Sequence, residues 1–291
     1  MSQQAQTLIA IESFIERIRN DQISNDQILC ELQELIPSFH IQYCQNVWYS
    51  QHIQLFMKLI NLIESYLHGQ GYDGLDMFLE HQVQNLRDLV HHYYPRIMNE
   101  QRAFQMQEIR NQQRLIAYIQ QVLQQKSRSL IVRVDLKYPG FLHDQVTIQM
   151  FDQHMKILRN RISNGDRCFS DLEGYIWALE QGGQSSGFHC HLMLIYDGHK
   201  HQNDFGLALA VGSYWNEITY GLGTFYTPNN PDTKAQFIEQ GTLALGRIER
   251  ANTLQCKNVL SYIHYFAQPE KYDQRLRVKL CSGSRTFGTG Q

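Results

Sequence analysis

The sequence lacks the features of a membrane-spanning, secreted or disulfide-stabilised protein. Apolar residues never run for the roughly eighteen positions that a transmembrane helix needs. The first residues, MSQQAQTLIAIESFIERIRN, contain no basic region ahead of an apolar stretch, as a secretory signal would. The six cysteines include no CxxC pair, so no disulfide framework is indicated. We therefore expect a cytoplasmic protein with no membrane partner.

The sequence also has little net charge, and this limits what composition says about partners. There are 26 Lys and Arg residues against 28 Asp and Glu residues, a net charge of −2. A surface that attracts nucleic acid must therefore be local. Hydrophobic residues make up 43% of the 291 positions, enough to form a core and to exclude general disorder.

The chain divides near residue 127 into two regions that differ in the spacing of their apolar residues. Residues 1–126 have apolar positions at helical spacing, which predicts an all-α N-terminal domain of unknown role. A capping-box pattern at Ser24 predicts a helix that stops before Pro37, and Pro95 is expected to break a later helix. Residues 127–291 begin with an alternating strand, SLIVRVDLK, and continue with alternating strands and helices. This pattern predicts an α+β domain with an antiparallel sheet and helices on one face, which leaves the other face open.

Two histidines on one predicted strand are the clearest candidate for chemistry. In FHCHLMLIY the apolar residues alternate with His189 and His191, so both imidazoles leave the polar face of the strand, about 6–7 Å apart. An alternative is that the two histidines are ordinary polar residues on a solvent-exposed sheet face, without a function. Glu180 ends the preceding strand, where its carboxylate can complete a set that suits Mn²⁺ or Mg²⁺, and less exclusively Zn²⁺. If the loop between the two strands has seven residues, Glu180 pairs with Phe188 and lies on the apolar face, away from the histidines. A shift of one residue in the pairing register moves Glu180 to the histidine face.

The last predicted helix, at about 252–267, carries two tyrosines three residues apart. Tyr262 and Tyr265 are therefore neighbours on the helix surface. An amphipathic edge position would explain both without a catalytic role. A phenol needs a nearby cation to act as a nucleophile at neutral pH, and a metal ion on the histidines would supply one.

These segments together resemble HUH rolling-circle replication endonucleases, and more narrowly the inovirus gene II replication-protein family. The similarity lies in IVRVDL, in GFHCHLMLIYDG and in the late Tyr-x-x-Tyr helix, in that order, and it covers roughly residues 127–291. It implies an HUH/RRM-like nuclease fold and a rolling-circle replication initiator of phage or prophage type, in the cytoplasm of a bacterial host cell. His189 and His191 match the metal-binding pair, with Mg or Mn as the ion. Tyr265 matches the nucleophile, and Tyr262 is a fallback or second nucleophile.

The resemblance implies nicking and rejoining of single-stranded DNA at a replication origin through a 5′-phosphotyrosine, with host helicase or polymerase as further partners. Gln268 stands where such families often have lysine, and Lys257, His264 or the basic tail are potential substitutes. Tyr138, Trp215 and Phe225 are aromatic candidates for contact with DNA, although each one taken alone is more typical of a core residue. Basic residues expected to bind DNA are Arg133, Lys137, Lys257, Lys271, Arg275, Arg277, Lys279 and Arg285.

Two other functions stay open at this point. A metal hydrolase of small substrates would have the same histidine pair and purely structural tyrosines. A catalytically inactive DNA-binding phage regulatory protein would keep the fold and lose the reaction, which the missing lysine at Gln268 makes plausible.

Overall fold

The computed structural model describes residues 2–182 and 187–291, apart from the side chains of residues 269–271. The chain forms two compact units. Unit 1 contains the residues up to Phe104 together with Arg277–Ser282, and unit 2 contains Gln105–Leu276 together with Gly283–Gln291. The change from helix to strand lies at the predicted domain boundary near residue 127, whereas the compact units separate at Phe104. Among the described residues, no helix is long and apolar enough to cross a membrane.

Unit 1 is built mainly from helices, as the apolar spacing predicts. Ser24 caps the second helix through the predicted capping box, with Gln27 returning a contact to the Ser24 backbone N–H. A two-residue strand pairs antiparallel with a short strand from the C-terminal segment. The elements are α1 (Gln3–Arg19), α2 (Asn25–Gln42), β1 (Trp48–Tyr49), α3 (Gln51–Leu67), the first part of α4 (Glu80–Gln125), and β7 (Val278–Lys279).

The two predicted proline breaks are wrong. Pro37 lies inside α2 and Pro95 lies inside α4. A proline in a helix removes one backbone hydrogen bond and frees the carbonyl four residues earlier. Both prolines are on exposed sides of their helices, where water can satisfy the freed carbonyl while packing on the buried side holds the helix together.

Unit 2 has the predicted α+β architecture around an antiparallel sheet. The strand order is β5-β2-β4-β3-β8, with β6 also pairing with β2. The sequence pattern does not predict helix α7, and the strand expected at 241–249 is confined to β6. The elements are the rest of α4, β2 (Arg128–Lys137), α5 (Ile148–Asn164), β3 (Leu172–Gln181), β4 (Phe188–Asp197), α6 (Asp204–Ile218), β5 (Thr224–Tyr226), α7 (Pro231–Glu239), β6 (Gly246–Glu249), α8 (Thr253–Ile263) and β8 (Phe287–Gly290).

Helices cover both faces of this sheet, so the expectation of one open face is wrong. On the apolar face, Phe151 of α5 stacks on Phe188 of β4, with ring centroids 5.3 Å apart. On the other face, one half contains apolar residues that pack against α4 and α8. The residues of this second core include Leu115, Ile119, Val122, Ile131, Ile176, Met193, Ile195, Val259 and Ile263. The end of this face near His189 carries polar groups, and the candidate site lies there.

Candidate metal centre

The histidine pair and Glu180 lie side by side on the central hairpin of unit 2. β3 and β4 pair antiparallel with Glu180 directly opposite His189 and Ala178 opposite His191. Directly paired residues share a sheet face, so the one-residue shift in register that the sequence required is present. Cys190, between the histidines, is fully buried on the apolar face. The period of two therefore predicts the direction of both histidines correctly, whereas that of Glu180 depends on the register of the hairpin.

The three side chains converge on a single oxygen. Oε2 of Glu180 lies 3.3 Å from Nε2 of His189 and 3.2 Å from Nε2 of His191. One ligand atom from each residue lies within 4.8 Å of the others, and all three residues are buried. The imidazole rings are edge to face, with centroids 5.0 Å apart.

The other nitrogen of each imidazole faces an acceptor as well. Nδ1 of His189 lies 3.2 Å from the carbonyl oxygen of Gly187, and Nδ1 of His191 lies 2.7 Å from Oδ1 of Asp135. A carbonyl or carboxylate oxygen only accepts, so we assign a hydrogen to Nδ1 in both rings. Each neutral ring then presents the lone pair of Nε2 to the carboxylate of Glu180. Either protons or a cation must lie between these groups.

A divalent cation fits this arrangement. With ligand distances of about 2.0–2.2 Å, neighbouring donor atoms around one ion are about 3 Å apart, close to the separations between Glu180 and the two histidines. A metal-bound histidine commonly donates its second N–H to a carboxylate or a carbonyl, which fixes the ring. His189 and His191 both have such a partner. The group can therefore bind a metal ion, with two imidazoles and one carboxylate as ligands.

Asp135 and Arg133 extend the site along β2. Nε and Nη2 of Arg133 donate to the two carboxylate oxygens of Asp135, at 3.0 and 3.3 Å. Burial alone would raise the pKa of Asp135, but hydrogen bonding to His191 and the charge of Arg133 lower it to about 2. Burial likewise acts to lower the pKa of His191, and the hydrogen bonds with Asp135 and Glu180 outweigh this and raise it. The opposite charges of Arg133 and Asp135 offset the cost of burying both groups.

Both predicted tyrosines reach the site, with different contacts. The Tyr265 hydroxyl lies 3.4 Å from Nε2 of His191, and the two rings are edge to face at 4.9 Å. The Tyr262 hydroxyl instead accepts a hydrogen bond of 2.9 Å from Nη1 of Arg133. The Arg133 guanidinium carbon lies 4.4 Å from the centre of the Tyr265 ring and 5.3 Å from that of Tyr262. Tyr265 is thus beside the candidate metal ligands, whereas Tyr262 contacts the arginine.

The chain around Tyr265 is not the α-helix that the sequence predicts. α8 ends at Ile263, and His264–Phe266 form one turn of 3₁₀ helix. Gln268 precedes Pro269 and is extended, with φ −130° and ψ 119°, because a proline disfavours helical geometry in the residue before it. The tighter turn changes the direction of Tyr265 relative to an ideal α-helix.

The local environment raises the pKa of both tyrosines. For Tyr265, burial raises the pKa and the negative charge of Glu180 raises it further, while Arg133 opposes both effects. For Tyr262, burial is again the largest cause, opposed by the charge and hydrogen bond of Arg133. Both phenols are therefore protonated at neutral pH.

Three of the expected DNA-binding residues are buried arginines. Arg133 is buried within the site, and Arg275 is buried, donating 2.9 Å to the Tyr272 carbonyl. Arg277 is 2% exposed and is bonded to Glu12 in unit 1. Each of these three arginines has a bonding partner inside the protein, and its role as a DNA contact stays a prediction.

The remaining expected DNA contacts are distributed over both units. Lys279, in unit 1, lies over the ring of Trp48. In unit 2, Lys257 and Arg285 are exposed, and Lys137 is half-buried at the end of β2. The side chain of Lys271 is outside the described residues. These four described positions stay predictions as DNA contacts.

The aromatic residues expected to contact DNA belong largely to the core. Tyr138 is 2% exposed and Trp215 is fully buried, with ring centroids 5.7 Å apart. Phe225 lies so close over Gly212 of α6 that a Cβ atom on the glycine would be only 2.3 Å from its ring. The alternative that these residues belong to the core is therefore confirmed for Tyr138 and Trp215, and Phe225 packs against α6.

Two features of the site do not follow from the sequence pattern. The alternation marks Asp135 as a polar strand residue and not as the partner of His191, and it assigns Arg133 to DNA instead of to the tyrosines. The pairing of Asp135 with His191 depends on the register of β2 against β4, which joins segments 56 positions apart. The only local signal is the Arg-x-Asp spacing on the polar face of β2.

The fold and the site together define a class of protein: an α+β domain whose antiparallel sheet carries a buried Glu-His-His set beside a tyrosine. The chain matches the family model of the YagK/YfjJ C-terminal domain over residues 91–290. It therefore belongs to the YagK/YfjJ C-terminal domain family. No curated protein and no solved structure matches the chain. The similarity to HUH replication proteins thus stays a prediction.

Proposed function

We propose that the protein is a metal-dependent endonuclease and strand transferase that acts on single-stranded DNA, with Tyr265 as the nucleophile. The observation that supports this most directly is the 3.4 Å contact between the Tyr265 hydroxyl and Nε2 of His191. The same nitrogen faces Glu180 in the candidate metal set. A nucleophile and a cation site for the scissile phosphate are therefore adjacent.

The residues divide into ligands and nucleophile. Glu180, His189 and His191 would hold a Mg²⁺ or Mn²⁺ ion, which when bound supplies positive charge to polarise a phosphodiester and stabilise the developing charge. The Tyr265 oxygen attacks phosphorus and loses its proton to solvent. The bond from phosphorus to the 3′ oxygen breaks, and that oxygen takes up a proton from water. The products are a 5′-phosphotyrosine and a free 3′-OH.

A covalent intermediate suits strand transfer better than hydrolysis does. The phosphotyrosine keeps a bond of phosphodiester type, so a 3′-OH can attack it and rejoin the strand without an external energy source. The free 3′-OH is also a primer. A host polymerase and helicase, in the cytoplasm of a bacterial cell, are accordingly the partners that a rolling-circle replication initiator of phage or prophage type would need.

Arg133 is the residue that we propose in place of the lysine missing at Gln268. Its guanidinium lies over the Tyr265 ring and is held by Asp135 and Tyr262. A fixed cation next to the attacking oxygen favours the phenolate and the charged transition state. The substitutes considered from the sequence are less well placed: Lys257 is exposed on α8, and Nδ1 of His264 lies 2.7 Å from the Gln112 side-chain amide.

Tyr262 has a different role in this proposal. Its hydroxyl accepts a hydrogen bond from Arg133, so it positions the arginine and does not attack the first phosphate. We therefore expect Tyr262→Phe to keep covalent nicking at a reduced rate, whereas Tyr265→Phe loses it.

The test is incubation of the full chain with Mn²⁺ and a pool of single-stranded oligonucleotides labelled at the 3′ end. A 5′-phosphotyrosine retains the 3′ part of the strand, so a labelled protein band should survive denaturing electrophoresis. The band should disappear with EDTA and with Tyr265→Phe, and persist with Tyr262→Phe. A labelled band that is equally strong in Tyr265→Phe would contradict the assignment.

The same experiment separates the other two functions. Metal-dependent cleavage without any adduct, unchanged in Tyr265→Phe, would favour a metal hydrolase with structural tyrosines. Binding of DNA with neither cleavage nor adduct in Mn²⁺ would favour the inactive DNA-binding protein.

A further inference from the structure

The edge strand β5 lies next to β2, the strand that carries Arg133 and Asp135 of the candidate site. It pairs antiparallel with β2, with Tyr226 opposite Asp135 and Thr224 opposite Lys137. Directly paired residues of an antiparallel sheet share a face, and alternate residues of one strand do so too. Tyr226 and Lys137 are thus on the face that carries Asp135 and the metal ligands.

Tyr226 has its ring at the surface for a structural reason. Its neighbour Phe225 points to the opposite face and packs on Gly212, and this fixes the alternation of the strand. Tyr226 is 47% exposed. Its phenol is also close enough to Tyr262 to raise the pKa of that residue. An exposed aromatic ring therefore lies on the site face opposite Asp135, the residue that binds Arg133.

Lys137 adds an available positive charge at the end of β2. It is half-buried, and within the described part of the chain it forms no ion pair with an acidic side chain. The other cation of this face, Arg133, is already bonded to Asp135. Lys137 is accordingly a basic residue on this face that can bind an external anion without breaking an ion pair among the described residues.

We infer that Tyr226 and Lys137 form a subsite for the single-stranded substrate beside the nucleophile. Tyr226 stacks on an unpaired base next to the scissile phosphate, and Lys137 binds a neighbouring phosphate. Base stacking on aromatic side chains and contact of the backbone with cations are the two usual components of single-strand binding. A duplex does not present a free base face, so the subsite selects unpaired DNA. This inference rests on the proposed function for its substrate.

The test measures binding without catalysis. Fluorescence anisotropy of a labelled single-stranded oligonucleotide in EDTA gives the Kd of the full chain and of its variants. Tyr226→Ala should weaken binding about five- to a hundredfold, the range expected for one lost stacking contact, and Tyr226→Phe should retain it. Lys137→Ala should reduce the slope of log Kd against log salt concentration by about one, as expected for the loss of one phosphate contact. Thermal melts of each variant check that the fold is kept.

Tyr220 supplies a matched control. It is an exposed tyrosine of unit 2, at 86%, and it precedes β5 outside the sheet. Tyr220→Ala should leave the Kd within about twofold of the wild type. Equal affinities for Tyr226→Ala and Tyr220→Ala would overturn the subsite.

The outcomes distinguish the subsite from the proposed function. If the Tyr265 adduct forms but Tyr226→Ala binds DNA normally, the subsite is wrong and the nuclease stands. If Tyr226→Ala weakens binding but no adduct forms in Mn²⁺, the subsite stands and the nuclease is wrong. If the wild-type chain does not bind single strands, both are wrong.

Discussion

Asp135 connects the candidate metal ligands to the cation that surrounds the tyrosines. It accepts a 2.7 Å hydrogen bond from Nδ1 of His191 and binds Arg133 through both of its oxygens. In metal sites such a partner orients the ligand ring and makes it a better donor, and its loss commonly weakens metal binding 10- to 100-fold. Asp135 therefore offers a test of the metal site that leaves all three ligands in place.

We expect Asp135→Asn to weaken Mn²⁺ binding by about 10- to 100-fold. The amide oxygen can still accept from His191, but it carries no charge, so the ring becomes a poorer ligand. Isothermal titration calorimetry on the full chain measures the change, with Asp152→Asn on α5 as the control. An unchanged Mn²⁺ affinity in Asp135→Asn would contradict a metal site in which Asp135 supports His191 as a ligand.

For single residues, the sequence predicts the direction in which a side chain points, and it predicts less well what surrounds that side chain. Strict alternation around Cys190 fixes where His189 and His191 point, because neighbouring strand residues always face opposite ways. It does not reveal that both histidines are nearly buried, at 7% and 5% exposure. His191 packs against the ring of Tyr265, 74 positions further along the chain, and the local pattern cannot show such a contact.

At the scale of secondary-structure elements, the second half of α4 covers one face of the sheet and forms a buried core with it. Leu115, Ile119 and Val122 are buried against the strands. The apolar spacing of this helix is visible in the sequence, but its partner is not, because the contact joins two regions that differ in secondary structure. The predicted boundary at residue 127 consequently separates helix from strand, and it also separates two parts of one core.

We expect Ile119→Ala to lower the free energy of unfolding by about 2–5 kcal/mol, the usual range for removing a large buried side chain. Ile119 has no exposed surface, so the substitution leaves a cavity between the helix and the sheet. Urea denaturation gives the value. Met106→Ala, in the same helix but at a site 53% exposed, should change it by less than about 0.5 kcal/mol. Equal effects of the two variants would contradict this packing.

At the scale of the whole molecule, the chain enters each compact unit more than once. Unit 2 begins at Gln105, and Arg277–Ser282 belongs to unit 1. Within unit 1, β7 pairs with β1 and Arg277 is bonded to Glu12. The basic tail, which the sequence predicts to be one DNA-binding segment, is therefore shared between the units, and a linear charge pattern cannot show this.

This division predicts which fragments fold. Residues 105–291 keep every part of unit 2 and should melt cooperatively, whereas residues 127–291 lack the α4 residues that cover the sheet. We expect the shorter fragment to bind a hydrophobic dye and to aggregate, because its exposed face includes Ile131, Ile176 and Met193. Circular dichroism melts compare the two fragments. A cooperative transition in residues 127–291 would contradict the assignment of α4 to the sheet core.

The central claim is that Tyr265 attacks DNA beside the Glu180, His189 and His191 set. Trypsin should release both tyrosines in one peptide, NVLSYIHYFAQPEK, residues 258–271. After reaction with single-stranded DNA and Mn²⁺ and digestion of the attached strand, fragment-ion mass spectrometry of this peptide locates the nucleotide. The account predicts the added mass on Tyr265, and none in EDTA. A nucleotide on Tyr262, or an unmodified peptide in a reaction that has cleaved the DNA, would contradict it.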